Sequence, residues 1–337
     1  MFAYTLPAGC QNLESLRLVE RPDPKPGPGQ VLIRVRAVSL NYRDQMIAAG
    51  KYFGMQTTRE IVPASDAAGE VVGIGAGVSE FKIGDRVTAC FTQADPQGSA
   101  SGPQVPLGLP LDGVLAEYIV LHEGGVIPMP ESYTFAEASC LPCAGVTAWN
   151  ALMVTGRPIA PGDTVLVLGS GGVSIWALQL ACAAGARVLL TSSSDEKIER
   201  AKALGAADGI NYRSTPDWER EVLRLTNGRG ADCVIEVGGE GTLSRSIGAL
   251  ALGGKVALIG VLAAPSRAVD HGTLMFKRGS LHGIMVGEKV LFQALNRAVQ
   301  IAGIKPVIDR VFGFQDARTA YTQHRSGEFV GKVVIEV

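Results

Sequence analysis

Three small residues, Gly169, Gly171 and Ser174, interrupt a run that carries no charge between Asp163 and Arg187, within GDTVLVLGSGGVSIWALQLACAAGARVLLTSSSDEK (162–197). Length alone would let such a run cross a bilayer, since a membrane helix needs about 20 apolar residues. Its composition argues otherwise: a mid-helix glycine costs roughly 0.8 to 1 kcal/mol relative to alanine, and Ser170, Ser174 and Gln179 are polar. Split into a strand, a turn and a helix, the same residues acquire uses. Val165, Val167 and Leu168 suit a buried parallel strand, which needs no polar alternation. Gly169 lets the chain turn sharply. Gly171 removes a side chain where a pyrophosphate approaches backbone N–H groups, and the amides of Gly172 and Val173 at the helix start face that anion. Ser174 stands where the G-x-G-x-x-G pattern has its third glycine and is small enough for close packing of helix on strand.

A second strand, Arg187 to Leu190, follows one helix later, and its end bears on the choice of nucleotide. A site for NAD places Asp or Glu there, about 20 residues past the glycines, to bind the ribose 2′-hydroxyl. This chain has Thr191, Ser192, Ser193 and Ser194, followed by Lys197. Hydroxyls and a lysine can bond and neutralise a 2′-phosphate, which a carboxylate would repel, so NADP is expected. Asp195 is read as a charge on the start of the next helix.

Other reactive residue types carry less. Cys140 and Cys143 form a C-x-x-C, a spacing used by redox pairs and half zinc sites, but no second C-x-x-C follows, and the two are read as small packed residues ahead of a helix. The six cysteines, at 10, 90, 140, 143, 182 and 233, suggest no disulfide framework in a chain this long. His122, His271, His282 and His324 show no metal spacing and are read as surface or pocket-wall residues.

The elements around these residues divide in texture. A length of 337 residues exceeds what one core usually serves, and 47% hydrophobic with 19% charged residues is a globular balance. Thirty-one basic against 32 acidic residues leave a net charge of -1, so no bulk field attracts nucleic acid or an anionic membrane. The amino terminus lacks signal-peptide regions, which makes a cytoplasmic location the expectation. Short apolar runs between Gly and Pro clusters make the first third β-rich, with RPDPKPGPGQ (21–30) as a turn segment and Thr92 to Gly113 as a long surface loop. From about Pro142, AGVTAWNALM has helical spacing, and strands then alternate with helices: Thr164 to Leu168, Arg187 to Leu190, Gly209 to Asn211, Cys233 to Glu236 and Lys255 to Gly260. That alternation predicts βαβ units and a parallel sheet. The closing GKVVIEV returns to the texture of the start, so the first domain is expected to be discontinuous.

Five segments now resemble the medium-chain dehydrogenase/reductase superfamily, and more closely its zinc-free, quinone-oxidoreductase-like branch: NYRDQMIAAGKY (41–52), DAAGEVVGIGAGVSEFKIGDRV (66–87), GVTAW (145–149), the glycine turn, and LGAADGINYR (204–213). The resemblance spans nearly the whole chain. It implies an α/β fold in which a discontinuous, GroES-like β-rich catalytic domain (1–128) is interrupted by a Rossmann doubly wound parallel-sheet domain (129–267), with residues 268–337 returning to close the Rossmann sheet edge and the catalytic domain. It also implies that Ser193, Lys197 and Tyr212 hold the 2′-phosphate of NADP, that Thr147 lies near the nicotinamide, and that Gly238 and Gly260 line its pocket. A homodimer joined sheet edge to sheet edge is implied, with the strand near Leu281 to Val286 as that edge.

Zinc-dependent members hold the ion with Cys, His and Cys; the matching positions here are Asn41, Ser65 and Cys143. One thiolate falls short of the roughly three protein ligands that a catalytic zinc needs, and the four-cysteine structural lobe is missing, so no metal is expected. Hydride transfer from NADPH then suits a quinone or a C=C bond conjugated to a carbonyl. Asn41 is expected to orient the substrate carbonyl or the ribose. Tyr52 either donates the proton, as a tyrosine at the matching place in related enoyl reductases implies, or packs against the substrate. Tyr42, Arg43 and Asp44 are read as shaping their loop. Two other readings stay open: a metal-independent alcohol dehydrogenase acting with NAD(P), and a non-catalytic NADPH-binding protein.

Overall fold

The computed structural model describes residues 1–93, 105–260, 262 and 269–337 of the chain. These divide into two compact units, Met1–Cys143 with Glu288–Val337, and Ala144–Gly287; the sequence reading drew its boundaries at 128/129 and 267/268.

In the first unit the short apolar runs become strands: β1 (Phe2–Thr5), β2 (Arg17–Glu20), β3 (Gln30–Ser39), β4 (Asp66–Ile74), β5 (Arg86–Ala89), β6 (Thr92–Gln93), β7 (Val105–Pro106), β8 (Tyr118–His122) and β9 (Val126–Pro128). In β3 the buried Val31, Ile33 and Val35 alternate with more exposed residues, the period-two pattern of a sheet with one face on a core. β3 pairs antiparallel with β4 and with β8, β4 with β5, and β5 with β9.

The second unit carries β10 (Thr164–Leu168), β11 (Arg187–Ser192), β12 (Asp208–Asn211), β13 (Ala231–Glu236), β14 (Leu250–Leu258) and β15 (Ser280–Gly283). Every neighbouring pair is parallel, in the order β12-β11-β10-β13-β14-β15. This is the doubly wound order, whose direction of progression reverses between β10 and β13. The uncharged run is explained by burial rather than by a membrane. All five residues of β10 are buried, and the helix Gly172–Ala183 buries seven more, from Ser174 to Ala181. Among the described residues no helix is long and apolar enough to cross a membrane. The stretch with helical spacing is helical throughout, but two i→i+5 turns, Leu141–Gly145 and Asn150–Val154, flank one α-turn, Val146–Trp149.

The return segment adds the helix Lys289–Ala302, β16 (Ile308–Gly313), the helix Ala317–Ser326 and β17 (Lys332–Glu336) to the first unit. β17 lies between β16, to which it is parallel, and β3, to which it is antiparallel, which completes a seven-stranded sheet.

Three sequence readings change. Tyr42–Ala48 is a helix rather than a loop, because the Asp44 carboxylate accepts the Asn41 N–H at 2.8 Å and closes its first turn. The stretch from Thr92 to Gly113 is not all surface loop: β6 and β7 pair, and Leu107 and Leu109 are buried, while residues 94–104 lie outside the described residues. His324 is neither on the surface nor on a pocket wall, being buried with its ring stacked on Phe329 at 5.0 Å.

Burial pushes the His324 imidazole down to about 3, helped by the charge of Lys332. An unfolded histidine titrates near pH ~6.5, so below that pH the unfolded chain takes up a proton that the folded chain refuses. The contribution is therefore complete above the unfolded value and lost as pH falls toward the folded one. His324→Leu should remove about 2 kcal/mol of the stability difference between roughly pH 7.5 and pH 5, read by urea unfolding. Equal pH slopes in variant and parent would assign the acid sensitivity elsewhere.

Candidate functional site

The carboxyl ends of β10 and β13 flank the point where the strand order reverses, the place where doubly wound sheets bind ligands. Gly169 leaves β10 with a φ of +70°, a conformation that favours glycine, and its N–H donates to the Thr191 carbonyl at 2.8 Å. Gly171, the N-cap of the helix Gly172–Ala183, is different. Its φ of −76° and ψ of −175° suit any residue, and a Cβ built there would meet no atom within 4 Å. Neither strain nor packing requires this glycine, so what it preserves is open space in front of a helix start. Gly172 and Val173 open that helix, whose first turn contains no acidic residue. The Ser174 hydroxyl donates to the Leu168 carbonyl at 2.7 Å, which ties the helix to the strand it follows.

At the end of β11 the hydroxyls divide in use. The Ser194 hydroxyl caps the helix Asp195–Ala203 by accepting the Lys197 N–H at 3.4 Å, and the Ser192 hydroxyl accepts the Ser194 N–H at 3.3 Å. The Ser193 side chain makes neither of these two hydrogen bonds and is half-buried, as is Lys197. Tyr212 is 43% exposed and follows β12, where its N–H donates to the Ser192 carbonyl at 3.0 Å. Ser193, Lys197 and Tyr212 thus stand at one end of adjacent strands. The Asp195 carboxylate is engaged by Asn211, whose Nδ2 donates to it at 2.7 Å.

Gly238 and Gly260 follow β13 and β14. A Cβ on Gly238 would come within 2.3 Å of the Thr242 hydroxyl, and one on Gly260 within 1.7 Å of the Val237 carbonyl, so the protein's own packing accounts for both glycines. The residue that organises this corner escaped the sequence reading. Glu236, fully buried at the end of β13, accepts the N–H groups of Gly238 and Gly239 at 2.7 and 2.9 Å and the Thr242 hydroxyl at 2.7 Å on one oxygen; Ser246 donates to the other. Its sequence signal is an acid directly after the apolar run Cys233–Val234–Ile235. Thr147 is buried in the α-turn Val146–Trp149.

In the first unit Asn41, Ser65 and Cys143 come together, joined by two residues that spacing did not reveal. Lys332, 3% exposed on β17, donates to the Asn41 Oδ1 at 2.6 Å and to the Leu40 carbonyl at 2.7 Å. The Asn41 Nδ2 lies 3.5 Å from the Ser65 hydroxyl, which donates to Asp66 at 2.8 Å, and the second Asp66 oxygen accepts the Cys143 N–H at 3.0 Å. Burial pushes the Asp66 carboxyl up against the pull of Lys332 and of these hydrogen bonds. Desolvation also pushes the Cys143 thiol well above its ordinary range, and the Asp66 charge adds to that. Cys140 is buried and its thiol, pushed up to about 11 by burial, donates to the Ala136 carbonyl at 3.3 Å. Among the described residues no group of three His, Cys, Asp or Glu side chains could hold a metal.

Tyr52 is 6% exposed, with the Arg43 guanidinium 5.1 Å from its ring centre. Arg43 also stacks on Phe91 at 4.9 Å and donates to the carbonyls of Leu107 and Leu109 at 2.8 and 3.4 Å. Buried rather than exposed, it clamps Tyr52 and the chain after β7 around one cation. Asp44, fully enclosed, has its carboxyl pushed up to about 6 by burial, which Arg43 partly opposes.

Two family models match in chain order: the alcohol dehydrogenase GroES-like domain over residues 27–131 and the zinc-binding dehydrogenase over residues 172–301. A zinc-type alcohol dehydrogenase-like protein of Schizosaccharomyces pombe is 41% identical, covering 93% of this chain and 92% of its own. A chloroplastic quinone oxidoreductase of Triphysaria versicolor is 33% identical over 95% of this chain and 94% of its own. The crystal structure of a putative alcohol dehydrogenase from Sinorhizobium meliloti superposes with a TM-score of 0.87 at 39% identity, covering both chains fully. A GroES-like unit, a parallel sheet in doubly wound order and identities of this size over nearly the whole length lead to one conclusion: the chain belongs to the medium-chain dehydrogenase/reductase superfamily.

Proposed function

We propose that the protein is an NADP-dependent oxidoreductase that reduces quinones or the C=C bond of α,β-unsaturated carbonyl compounds without a metal. The observation that carries this reading is the Lys332–Asn41–Ser65–Asp66–Cys143 network, buried apart from the half-buried Cys143. At the three positions where zinc-dependent members carry their ligands, the Asn41 oxygen is engaged by an ammonium group, Ser65 supplies a hydroxyl, and Cys143 supplies the one thiol. A divalent ion needs deprotonated donors and gains nothing from a fixed neighbouring cation, so this donor set does not fit zinc.

The residues of the second unit do fit a dinucleotide. Gly169 and Gly171, with the amides of Gly172 and Val173, would take the pyrophosphate in the space that a Cβ at position 171 would fill. Ser193, Lys197 and Tyr212 would take the 2′-phosphate, while Thr147, Gly238 and Gly260 would border the nicotinamide. NADPH bound there supplies the hydride.

In the first unit Lys332 settles which way the Asn41 amide points. With Oδ1 accepting from the ammonium, the Nδ2 group is the donor end; one of its hydrogens faces the Ser65 hydroxyl, and the other would donate to a substrate carbonyl, which a donor polarises. Polarisation makes the conjugated β-carbon the better hydride acceptor. Tyr52, fixed beneath Arg43, is the proposed donor of the proton that completes reduction. The outer edge of β15 has no strand partner among the described residues, and we assign the homodimer contact to it.

Purified protein should oxidise NADPH with at least one member of a panel of enones, enals, enoyl thioesters and quinones, without added metal and without loss on chelation. Turnover of alcohols with NADP, but of no acceptor in the panel, would favour the metal-independent alcohol dehydrogenase; NADPH binding with no turnover at all would favour a non-catalytic binding protein. Gly171→Ala should leave stability within about 0.5 kcal/mol of the parent yet weaken NADPH at least roughly tenfold, whereas Gly169→Ala should cost about 1 to 2 kcal/mol of stability. Urea unfolding and nucleotide titration separate the two glycines, and unchanged NADPH affinity in the Gly171 variant would place the pyrophosphate elsewhere. Lys197→Ala should remove a phosphate contact worth roughly 1.5 to 3 kcal/mol from NADPH and leave NADH nearly unaffected; equal losses would contradict the 2′-phosphate assignment.

A further inference from the structure

Asp195 is the first carboxylate beyond β11, three residues past the strand end at Ser192, and it opens the helix that follows. An acid from this part of the fold is suited to the ribose 2′-hydroxyl of NAD and repels a 2′-phosphate. Its presence beside Ser193 and Lys197 is a conflict for an NADP site unless something holds the carboxylate aside.

Asn211 does so. It is the last residue of β12 and the register partner of Ser192, which places it beside the end of β11. Its Nδ2 donates to the Asp195 Oδ1 at 2.7 Å, while its Oδ1 accepts the Arg213 N–H at 3.0 Å. The second bond decides the direction of the first: a backbone N–H can only donate, so the amide oxygen turns toward Arg213 and the NH2 group toward Asp195. The turn that carries Tyr212 is anchored on the same residue, whose carbonyl accepts from the Thr215 N–H at 2.8 Å and the Ser214 hydroxyl at 3.2 Å.

We propose that Asn211 is a cofactor-specificity residue, which binds the Asp195 carboxylate and so withholds it from the ribose and from the 2′-phosphate. The inference rests on the NADP reading above. Asn211 touches no nucleotide in this scheme; it positions the residue that would otherwise discriminate against NADPH.

Dissociation constants for NADPH and NADH, measured by nicotinamide fluorescence on the full chain, test it. Asn211→Ala should lower the preference for NADPH over NADH roughly tenfold, the size of one charge-assisted hydrogen bond. Asp195→Ala in that background should return the preference to within about twofold of the parent, and Asp195→Ala alone should move it less than about twofold, because the two residues act as a coupled pair. If Asn211→Ala folds poorly, Asn211→Ser keeps a short acceptor for the Arg213 amide and repeats the comparison.

An unchanged preference in the Asn211 variant overturns the inference, as does a loss that persists in the double variant, since a damaged turn would not be repaired by removing Asp195. A parent protein that prefers NADPH while the Asn211 variant stays level sinks this inference and leaves the NADP reading standing. A parent protein that prefers NADH overturns both.

Discussion

Parallel strands cannot be joined by a tight turn, and each needs a crossover that carries the chain back to the same starting edge. In the second unit that constraint places the carboxyl ends of β10, β11, β12, β13 and β14 on one side, and the turns that leave β10, β11, β12 and β13 for their crossovers lie there. The order β12-β11-β10-β13-β14-β15 then makes the connections leave β10 and β13 in opposite directions, and the gap between those strand ends is covered by neither crossover. Gly169, Gly171, Ser193, Gly238 and Asn211 owe their grouping to this rule. None of them is near another in sequence for a local reason, apart from the two glycines of the turn.

Within that frame the protein spends buried charge in two ways. Glu236 is satisfied by four donors and fixes the loop after β13 as firmly as a carboxylate can, since hydrogen bonds to an ionised acceptor are the strong ones. Lys332 and Asp66 are held more sparingly. The lysine has a carbonyl and an amide oxygen for partners, and Asp66 has a hydroxyl and one backbone amide, with burial still raising its carboxyl. Buried charge is costly unless it is paired and hydrogen-bonded, and around Asn41 the Lys332 ammonium and the Asp66 carboxylate offset one another only in part, since burial still raises the Asp66 carboxyl.

The sequence made the fold legible where one element's own residues decide it. β10 runs from Thr164 to Leu168 as read, because four consecutive apolar residues after Thr164 leave no exposed face. β11, β12 and β13 run one or two residues longer than read, the added positions being polar or small residues that only pairing to a neighbour makes into strand. The 42–48 helix was missed for a related reason. Its leading Tyr, Arg and Asp look solvent-facing, yet Arg43 and Asp44 are buried against Tyr52, Phe91 and each other.

By itself the sequence determined the periodicities, the backbone freedom at Gly169 and the side-chain chemistry at the end of β11, all properties of neighbours along the chain. Tertiary structure alone decided that Lys332 meets Asn41 across 291 residues, that Asp66 reaches Cys143 across 77, and that Asn211 holds Asp195 across 16. Each is a hydrogen bond between polar groups whose types were visible from the start. What could not be visible was which partner the sheet would bring to each, because register, crossover and burial settle distances that residue type and spacing leave open.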